Sequence, residues 1–532
     1  MVTAAPSKVM AAYKHVIPSH NLFTKKLWLG IIDLSAAITF WRMFVSTAKI
    51  VGRENEINIL NAVCKSKEAE FIAVYGRRRV GKTYLVREFF SDKGIYLEAS
   101  GSKDKPLKKQ LENFMKAFSQ TFFNGTPLRT PNSWDEAFEA LTKQLSVAPK
   151  NQKIIIFLDE LPWMATKKSG LLQSLDYYWN LYWSQIPNLV LVVCGSAASW
   201  ILEKLIYAKG GLHKRITRKI LLEPFHLKET RDFLISRGIK LNEKQILDIY
   251  MAIGGVPYYL KAVVSGMSAA QNIEAICFQK NGLLYNEFSN LFESLFEHAD
   301  TNLSIVREIV KKGNEVSRED LIKLTGIQSG GTLNKRLQEL EASNFIQSFI
   351  PYGYTKRNLF YKVVDEFSLF HLKWIEPILH SGMGIDEQGY WQNLVNTPVI
   401  SNWAGYAFEN VCLKHIYQIR VALKLEKIAC QIGRWRHIAK KNSEEEGAQI
   451  DLLFDRQDGI VTLCEIKYSE KPYLIDKDYG KLLVRKEEVF KKQLKINKEV
   501  FIAMITAAGL KENLWSKELI QNEICLEDLF RC

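Results

Sequence analysis

The run Gly76-Arg77-Arg78-Arg79-Val80-Gly81-Lys82-Thr83 has the spacing G-x4-G-K-[ST]. Glycine at both ends of such a turn lets successive backbone N–H groups face a phosphate. Lys82 is expected to reach the β- and γ-phosphates of ATP, and Thr83 to place its hydroxyl on Mg2+. Thr83 would also begin a helix whose N-terminus favours an anion. The run from Gly76 to Thr83 and the adjoining Tyr84 is therefore assigned to nucleotide binding. An apolar run, FIAVY at 71–75, precedes the turn, and TYLVREFF follows it.

A second acidic element is IIIFLDELPWM, in which Asp159 falls just past a buried-type strand. A carboxylate at that edge of the sheet can hold magnesium through water, and Glu160 can polarise the attacking water. An ordinary acidic pair at a strand end is the plainer alternative. The next strand ends in Gly195-Ser196. Ser196 is expected to sense the γ-phosphate, or else to serve as a turn or cap residue.

Three further charged groups sit near the C-terminus: Glu409 in GYAFENVC, Asp451 in GAQIDLLFDRQDG, and Glu465 with Lys467 in IVTLCEIKYS. Read as a hairpin, the last two segments bring Asp451 and Glu465 together. Glu465 and Lys467 are two apart and so share a face of the sheet. Carboxylates of this kind make a hard oxygen site for Mg2+, with Lys467 orienting or deprotonating water. Charge inside apolar strand patterns is costly unless it serves a site.

Elements must position these groups. Residues 50–225 alternate short apolar runs (71–75, 95–99, 154–158, 189–194) with helical patterns such as 106–122 and 171–185. That alternation predicts a parallel sheet buried on both faces. Residues 226–300 read as helical, interrupted by Gly254-Gly255-Val256-Pro257. Helical segments at 303–311, 318–325 and 330–340, then an aromatic stretch with a glycine turn, predict a winged helix over 301–375. Residues 376–400 read as a linker and 401–532 as a second α/β unit, with the first domain at 47–225. Residues 1–46 read as an extension: Met43 is a plausible true start, with a weak membrane anchor in Leu27–Val45 as the alternative, disfavoured by Asp33 and Arg42.

The chain has 532 residues, 47% of them hydrophobic, and a formal net charge of +14. Disordered and fibrous classes are excluded, and an anionic partner or an ordinary basic protein both fit the charge. The eight cysteines form no CxxC pair, which argues against a zinc site and for reduced thiols in a cytoplasm. Tyr177, Tyr178, Trp179, Tyr182 and Trp183 form an aromatic run, most of which is expected to pack inside rather than stack bases.

Six segments taken together resemble the archaeal-type ATPase family, a branch of the AAA-related signal-transduction NTPases with numerous domains. They are VGRENEINIL (51–60), YGRRRVGKTYLVREF (75–89), IIIFLDELPWM (154–164), CGSAAS (194–199), ITRKILLEPF (216–225) and GGVPYYL (254–260). The resemblance covers about 50–365 and implies a five-stranded parallel core, a helical lid and a winged helix. It implies that Gly255 and Pro257 contact the nucleotide and that Val51, Gly52 and Arg53 border the adenine. Arg215 and Arg218 match basic positions of that family, as a trans arginine finger or as surface salt bridges.

The order Glu409, Asp451, Glu465-x-Lys467 resembles the PD-(D/E)xK restriction-endonuclease-like superfamily, over roughly 400–510, in the form commonly fused to this ATPase family. Its usual proline before the Asp is replaced here by Gln449-Ile450. An intact metal-dependent nuclease and a decayed or binding-only copy are both compatible with that. The resemblances imply DNA as partner, with Lys335, Arg336, Lys356 and Arg357 of the winged helix as phosphate contacts; a docked protein is the alternative, and an oligomer is compatible with either.

Overall fold

The computed structural model describes residues 50–531 except 208–211, 213, 314, 328–329, 356–357, 381–388, 396 and 440–445. The expectations for residues 1–46 and for Leu27–Val45 therefore lie outside the described residues, as do Lys356 and Arg357.

The first sheet is built from β1 (Glu70–Tyr75), β2 (Gly94–Ser100), β3 (Lys153–Asp159), β4 (Leu189–Gly195) and β5 (Arg218–Leu221), in the order β2-β3-β4-β1-β5. All of its pairings are parallel. Every residue of β4 is buried, and β3 is buried from Ile154 onward, as a sheet covered on both faces requires. Parallel strands need crossover helices. These include α2 (Lys82–Phe90), α3 (Leu107–Phe122), α4 (Trp134–Val147) and α5 (Leu171–Leu181), while α1 (Glu54–Lys65) lies ahead of β1. Ser133 caps α4 by accepting from Glu136 N. Phe114, Trp134, Phe138 and Trp183 pack edge to face or tilted between α3, α4 and the sheet.

Helices α6 (Leu227–Ser236), α7 (Glu243–Ile253) and α8 (Glu287–Leu295) form the helical region expected after the sheet. Helix α9 (Ala299–Lys311), β6 (Val316–Ser317), α10 (Arg318–Thr325), α11 (Gly331–Ala342), β7 (Ile346–Phe349) and β8 (Phe360–Val363) follow as a helix–hairpin unit. Its three strands are antiparallel in the order β6-β8-β7.

Within 376–400, expected as a linker, the described residues around Trp391 pack into the core instead. Trp391 is 2% exposed. Its ring meets Phe278, Phe370, Trp374 and Trp403 at 4.9–6.2 Å. The Trp391 backbone N–H donates to Glu274 Oε2 at 2.6 Å. The polar residues around Trp391 mask an apolar stripe too short to read as a helix. One continuous apolar core runs from Phe225 to Phe530, joining the helical region, hairpin unit and C-terminal domain.

The C-terminal domain begins with α12 (Pro398–Lys414). Strands β9 (Cys430–His437), β10 (Ala448–Arg456), β11 (Ile460–Lys467), β12 (Glu499–Thr506) and β13 (Ile520–Ile524) form a mixed sheet in the order β13-β12-β11-β10-β9. The first three pair antiparallel; β12 and β13 add on in parallel after α13 (Lys477–Leu494). His415 staples this domain to the helical region. Its Nε2 accepts from Leu227 N at 3.0 Å, while Nδ1 lies 2.7 Å from Val411 O, and burial lowers its pKa to about 3. Among the described residues no helix is long and apolar enough to cross a membrane.

Candidate functional site: a phosphate loop and a buried acidic cluster

Parallel register brings the carboxyl ends of β1, β3 and β4 to one edge of the first sheet, so Gly76, Asp159 and Ser196 lie side by side. The phosphate loop turns through left-handed backbone at Arg79 and Gly81, with φ of 72° and 94°. Gly76 has φ 135°, and a Cβ there would meet Leu222 O at 2.3 Å. A Cβ on Gly81 would find open space, so that glycine is required by its backbone angle alone.

Lys82 is buried, and its Nζ donates to Gly76 O at 3.0 Å and to Arg77 O at 2.8 Å. Burial lowers its pKa. Thr83 Oγ1 donates to both Asp159 oxygens, at 3.2 and 3.0 Å. Burial first, then the neighbouring Glu160, holds Asp159 above its ordinary range. Glu160 has φ 49°, an uncommon angle for a non-glycine residue. Its carboxylate accepts from Ser196 N at 3.1 Å and from Ser196 Oγ. The two motifs and the serine are thus brought together.

Arg77, Arg78 and Arg79 do not behave alike. Arg78 is half-buried. Arg77 is 2% exposed, pairs with Asp365, and lies 5.2 Å from the Phe345 ring centroid. Arg79 pairs with Glu287 at 2.7 Å and sits 4.3 Å over Tyr258. Val80 is buried, and its carbonyl accepts from Arg53 Nη2 at 3.2 Å. Arg53 itself lies over Phe225 and takes Glu229 on its backbone N–H. Tyr84 is exposed beside Lys261.

A Cβ on Gly255 would stand 1.9 Å from Phe225 O, and Gly255 O accepts from Phe225 N at 2.7 Å. Pro257 opens the turn whose Tyr258 and Tyr259 flank Arg79. Arg218 pairs with Glu70 at 3.7 Å and Arg215 is exposed. Tyr178, Trp179 and Trp183 are buried, whereas Tyr177 and Tyr182 are 50% and 44% exposed.

In the C-terminal domain the antiparallel register, Leu452 across from Cys464, carries Asp451 toward Glu465. Asp451 Oδ2 accepts from Ile466 N at 3.1 Å. Burial raises both carboxylates, with Glu409 the next cause for Asp451 and Asp451 the next for Glu465. Each carboxylate of this cluster is nevertheless answered by the protein. Glu465 takes Lys486 Nζ at 2.7 Å on both oxygens, and Tyr479 OH at 3.2 Å. Glu409 pairs with Lys362 at 3.2 Å and Arg434 at 2.5 Å, and Arg434 also pairs with Glu315. Lys467 Nζ stands 5.3 Å over the Tyr479 ring. Among the described residues, no three or more His, Cys, Asp or Glu side chains lie close enough to hold a metal ion. As arranged, Glu409, Asp451 and Glu465 do not form a cation cradle.

On α11, Lys335 is exposed but Arg336 is 4% exposed and paired with Glu339 at 2.9 Å. Arg336 follows the Leu333–Leu337–Leu340 stripe into the core, which corrects its expected role as a phosphate contact. Tyr352 N donates to Arg434 O at 2.7 Å, laying the turn between β7 and β8 on β9.

Asp365, Glu287, Lys362, Arg434 and Lys486 went unread in the sequence. Each is a charged residue whose partner lies far along the chain, and nothing local marks it; Lys486 is one of several lysines on α13.

Residues 50–263 match the model of an ATPase domain predominantly from archaea. Over those residues the chain is similar to ATPase domains of that kind, which supports ATP binding. Residues 375–482 match a domain of archaeal and bacterial proteins of unknown function. The chain is 24% identical over 438 residues to an uncharacterized protein of Methanocaldococcus jannaschii, spanning 81% of this chain and 90% of that one. It is 42% identical over 45 residues to an uncharacterized ATP-binding protein of the same organism, 8% of this chain and 76% of that one. Among solved structures, the Walker-type ATPase of Pyrococcus abyssi aligns with a TM-score of 0.44 and 19% identity, over 62% of this chain and 97% of that one. The ORC2 protein of Aeropyrum pernix aligns with a TM-score of 0.39 and 14% identity, over 63% and 96%.

Proposed function

We propose that the chain is an ATP-hydrolysing switch whose nucleotide state sets the placement of the hairpin unit and the C-terminal domain, with DNA as the polymer they act on. The observation that carries this reading is the pairing of the phosphate loop with the rest of the molecule. Arg77 pairs with Asp365 beyond the hairpin unit, and Arg79 with Glu287 of the lid. A loop with phosphate-binding spacing therefore also holds two other regions in place.

Thr83 and Asp159 offer the hard oxygens that suit Mg2+, which would neutralise charge on the β- and γ-phosphates. Lys82 would leave the carbonyls of Gly76 and Arg77 for the phosphates. In hydrolysis a water oxygen bonds to the γ-phosphorus, its proton passes to Glu160, and the bond to the β–γ bridging oxygen breaks. Glu160 is bound to Ser196 here and must turn away to serve as base. That makes Ser196 a brake on idle turnover, and it supports the sensor reading. Gly255 and Pro257 are read as the lid's contact with the nucleotide.

The DNA partner is supported by the net charge of +14, by exposed Lys335, and by the helix–strand–helix–helix–hairpin order of a winged helix. Loss of Arg336 to the core thins that footprint. A nuclease-like reading of residues 398–531 is supported by the adjacency of Asp451 and Glu465 in buried strands. No catalytic step is assigned to it, because each carboxylate is already satisfied by a protein donor or cation.

The test is titration of the full chain with fluorescent ATP in Mg2+, followed by phosphate release. Saturable uptake that Lys82→Ala abolishes is expected; uptake indifferent to Lys82 would sink the reading.

A further inference from the structure

Between Gly76 and Thr83, Arg79 is the one non-glycine residue in left-handed backbone, with φ 72°. Glycine adopts that region freely, as Gly81 does two residues on, whereas a side chain there persists only where its surroundings enforce it. The enforcement comes from outside the loop. The Arg79 guanidinium pairs with Glu287 at 2.7 Å, lies 4.3 Å over the Tyr258 ring and stands 5.9 Å from the Tyr259 ring centroid. Glu287 is buried, while the Arg79 side chain is 21% exposed.

Glu287 is placed by the core rather than by the loop that it grips. It is the first residue of α8, whose Phe288, Leu291, Phe292 and Leu295 are buried. Phe288 stacks on the His371 ring at 4.2 Å, and Phe292 lies 4.6 Å from Phe345. Two further grips act on the same turn: Asp365 on the Arg77 side chain and Arg53 on the Val80 carbonyl. They act at positions 77 and 80 and leave the angle at position 79 to Glu287. A phosphate nest binds tightly when its N–H groups are aimed before the ligand arrives. If residue 79 relaxes to the ordinary right-handed region, the peptide that follows it swings and the Val80 N–H loses that aim.

We propose that Glu287 is a positioning residue of the ATP site: it holds Arg79 in the left-handed angle that aims the loop, and Arg79 itself takes no phosphate. The inference rests on reading residues 76–83 as the nucleotide loop, and it changes the role of Arg79 within that loop. The sequence spacing groups Arg79 with the nucleotide contacts, but its guanidinium is already engaged by a carboxylate and a ring. ATP affinity thereby depends on the seating of α8, a helix far along the chain from the loop.

The experiment uses the full chain. The Kd for fluorescent ATP in Mg2+ is measured for wild type, Glu287→Met and the double variant Glu287→Met with Arg79→Gly, with thermal melts as a folding check. Glu287→Met removes both the charge and the acceptor that hold the guanidinium, and should weaken ATP about fivefold or more. In the double variant glycine takes the angle without an anchor, so ATP should bind within about twofold of wild type. That recovery separates the proposal from a general loss of fold and from a direct contact of Arg79 with phosphate, since neither is mended by deleting the side chain. A smaller loss in Glu287→Met, or a double variant that stays outside the twofold range, overturns the proposal. If Glu287→Met does not fold, Arg79→Ala is set against Arg79→Gly. Both lack the guanidinium and only glycine holds the angle, so ATP should bind alanine at position 79 about fivefold more weakly; equal Kd values overturn the proposal. The two failures are distinct. Wild type with no saturable uptake ends the ATP reading and this inference with it, whereas uptake indifferent to Glu287 ends this inference alone.

Discussion

The two acidic sites of this molecule are satisfied by different kinds of partner. At the end of β3, Asp159 and Glu160 accept from a threonine hydroxyl, a serine hydroxyl and a backbone N–H. In the C-terminal domain, Glu409 and Glu465 are held by Lys362, Arg434 and Lys486. Neutral donors leave a carboxylate its charge, ready to attract a cation. Cationic donors cancel it. The first site therefore keeps its negative charge, as its proposed role with magnesium and phosphate requires, and the second is internally neutralised.

The largest effect expected from that contrast is catalytic. Glu160→Gln should lower ATP turnover by about 10²–10⁴-fold while ATP binding stays near wild type, read by phosphate release and fluorescent ATP. Normal turnover in that variant would erase the assigned role of the first site. Next comes stability. Lys486→Met leaves Glu465 buried with only Tyr479 and should cost about 3–5 kcal/mol in urea unfolding. Thr83→Val removes a neutral donor and should cost about 1 kcal/mol. Equal costs would mean that the two sites do not differ in charge balance.

Acid should separate Glu409 from Asp159 in sign. Burial pushes Glu409 up, but Lys362 and then Arg434 outweigh it and hold it below its ordinary 4.5. The folded chain then binds fewer protons there than the unfolded one, so this contribution is present above 4.5 and is lost as pH falls through the lowered value. The stability gap between wild type and Glu409→Gln should narrow as the solution is acidified. Asp159 is raised by burial and then by Glu160, and runs the other way. Its charge penalty is relieved as pH falls toward 3.8, so the gap to Asp159→Asn should move in the opposite direction. Parallel pH profiles would break the comparison. The smallest effect belongs to the exposed rings: Tyr177→Ser and Tyr182→Ser should each change stability by under about 0.5 kcal/mol.

The first site was legible because its parts are local. Gly76, Gly81, Lys82 and Thr83 are contiguous in sequence, and Asp159 and Ser196 each end an apolar strand. The positions of β1 to β4, α2 and α5 follow from the same periodicities, whereas the strand order does not. The second site was legible only in part. The hairpin that carries Asp451 toward Glu465 shows in the alternation around Asp458-Gly459, but the cations that answer it come from β8, β9 and α13. A lysine on a basic helix gives no local sign of its target. Arg336 failed for the same reason: its charge drew the reading outward, while the leucines at 333, 337 and 340 turned that face inward. Residues 376–400 looked like a connector because single aromatic residues among polar ones make no periodic signal.

The rings around Trp391 have a practical consequence for anyone dividing this chain. Phe278 comes from the helical region after the first sheet and Phe370 from beyond the hairpin unit, while Trp403 opens the C-terminal domain. A fragment that starts near residue 400 would expose indole and phenyl faces on both sides of the cut. Such fragments are expected to clump in solution rather than behave as autonomous modules, so the molecule is best handled whole.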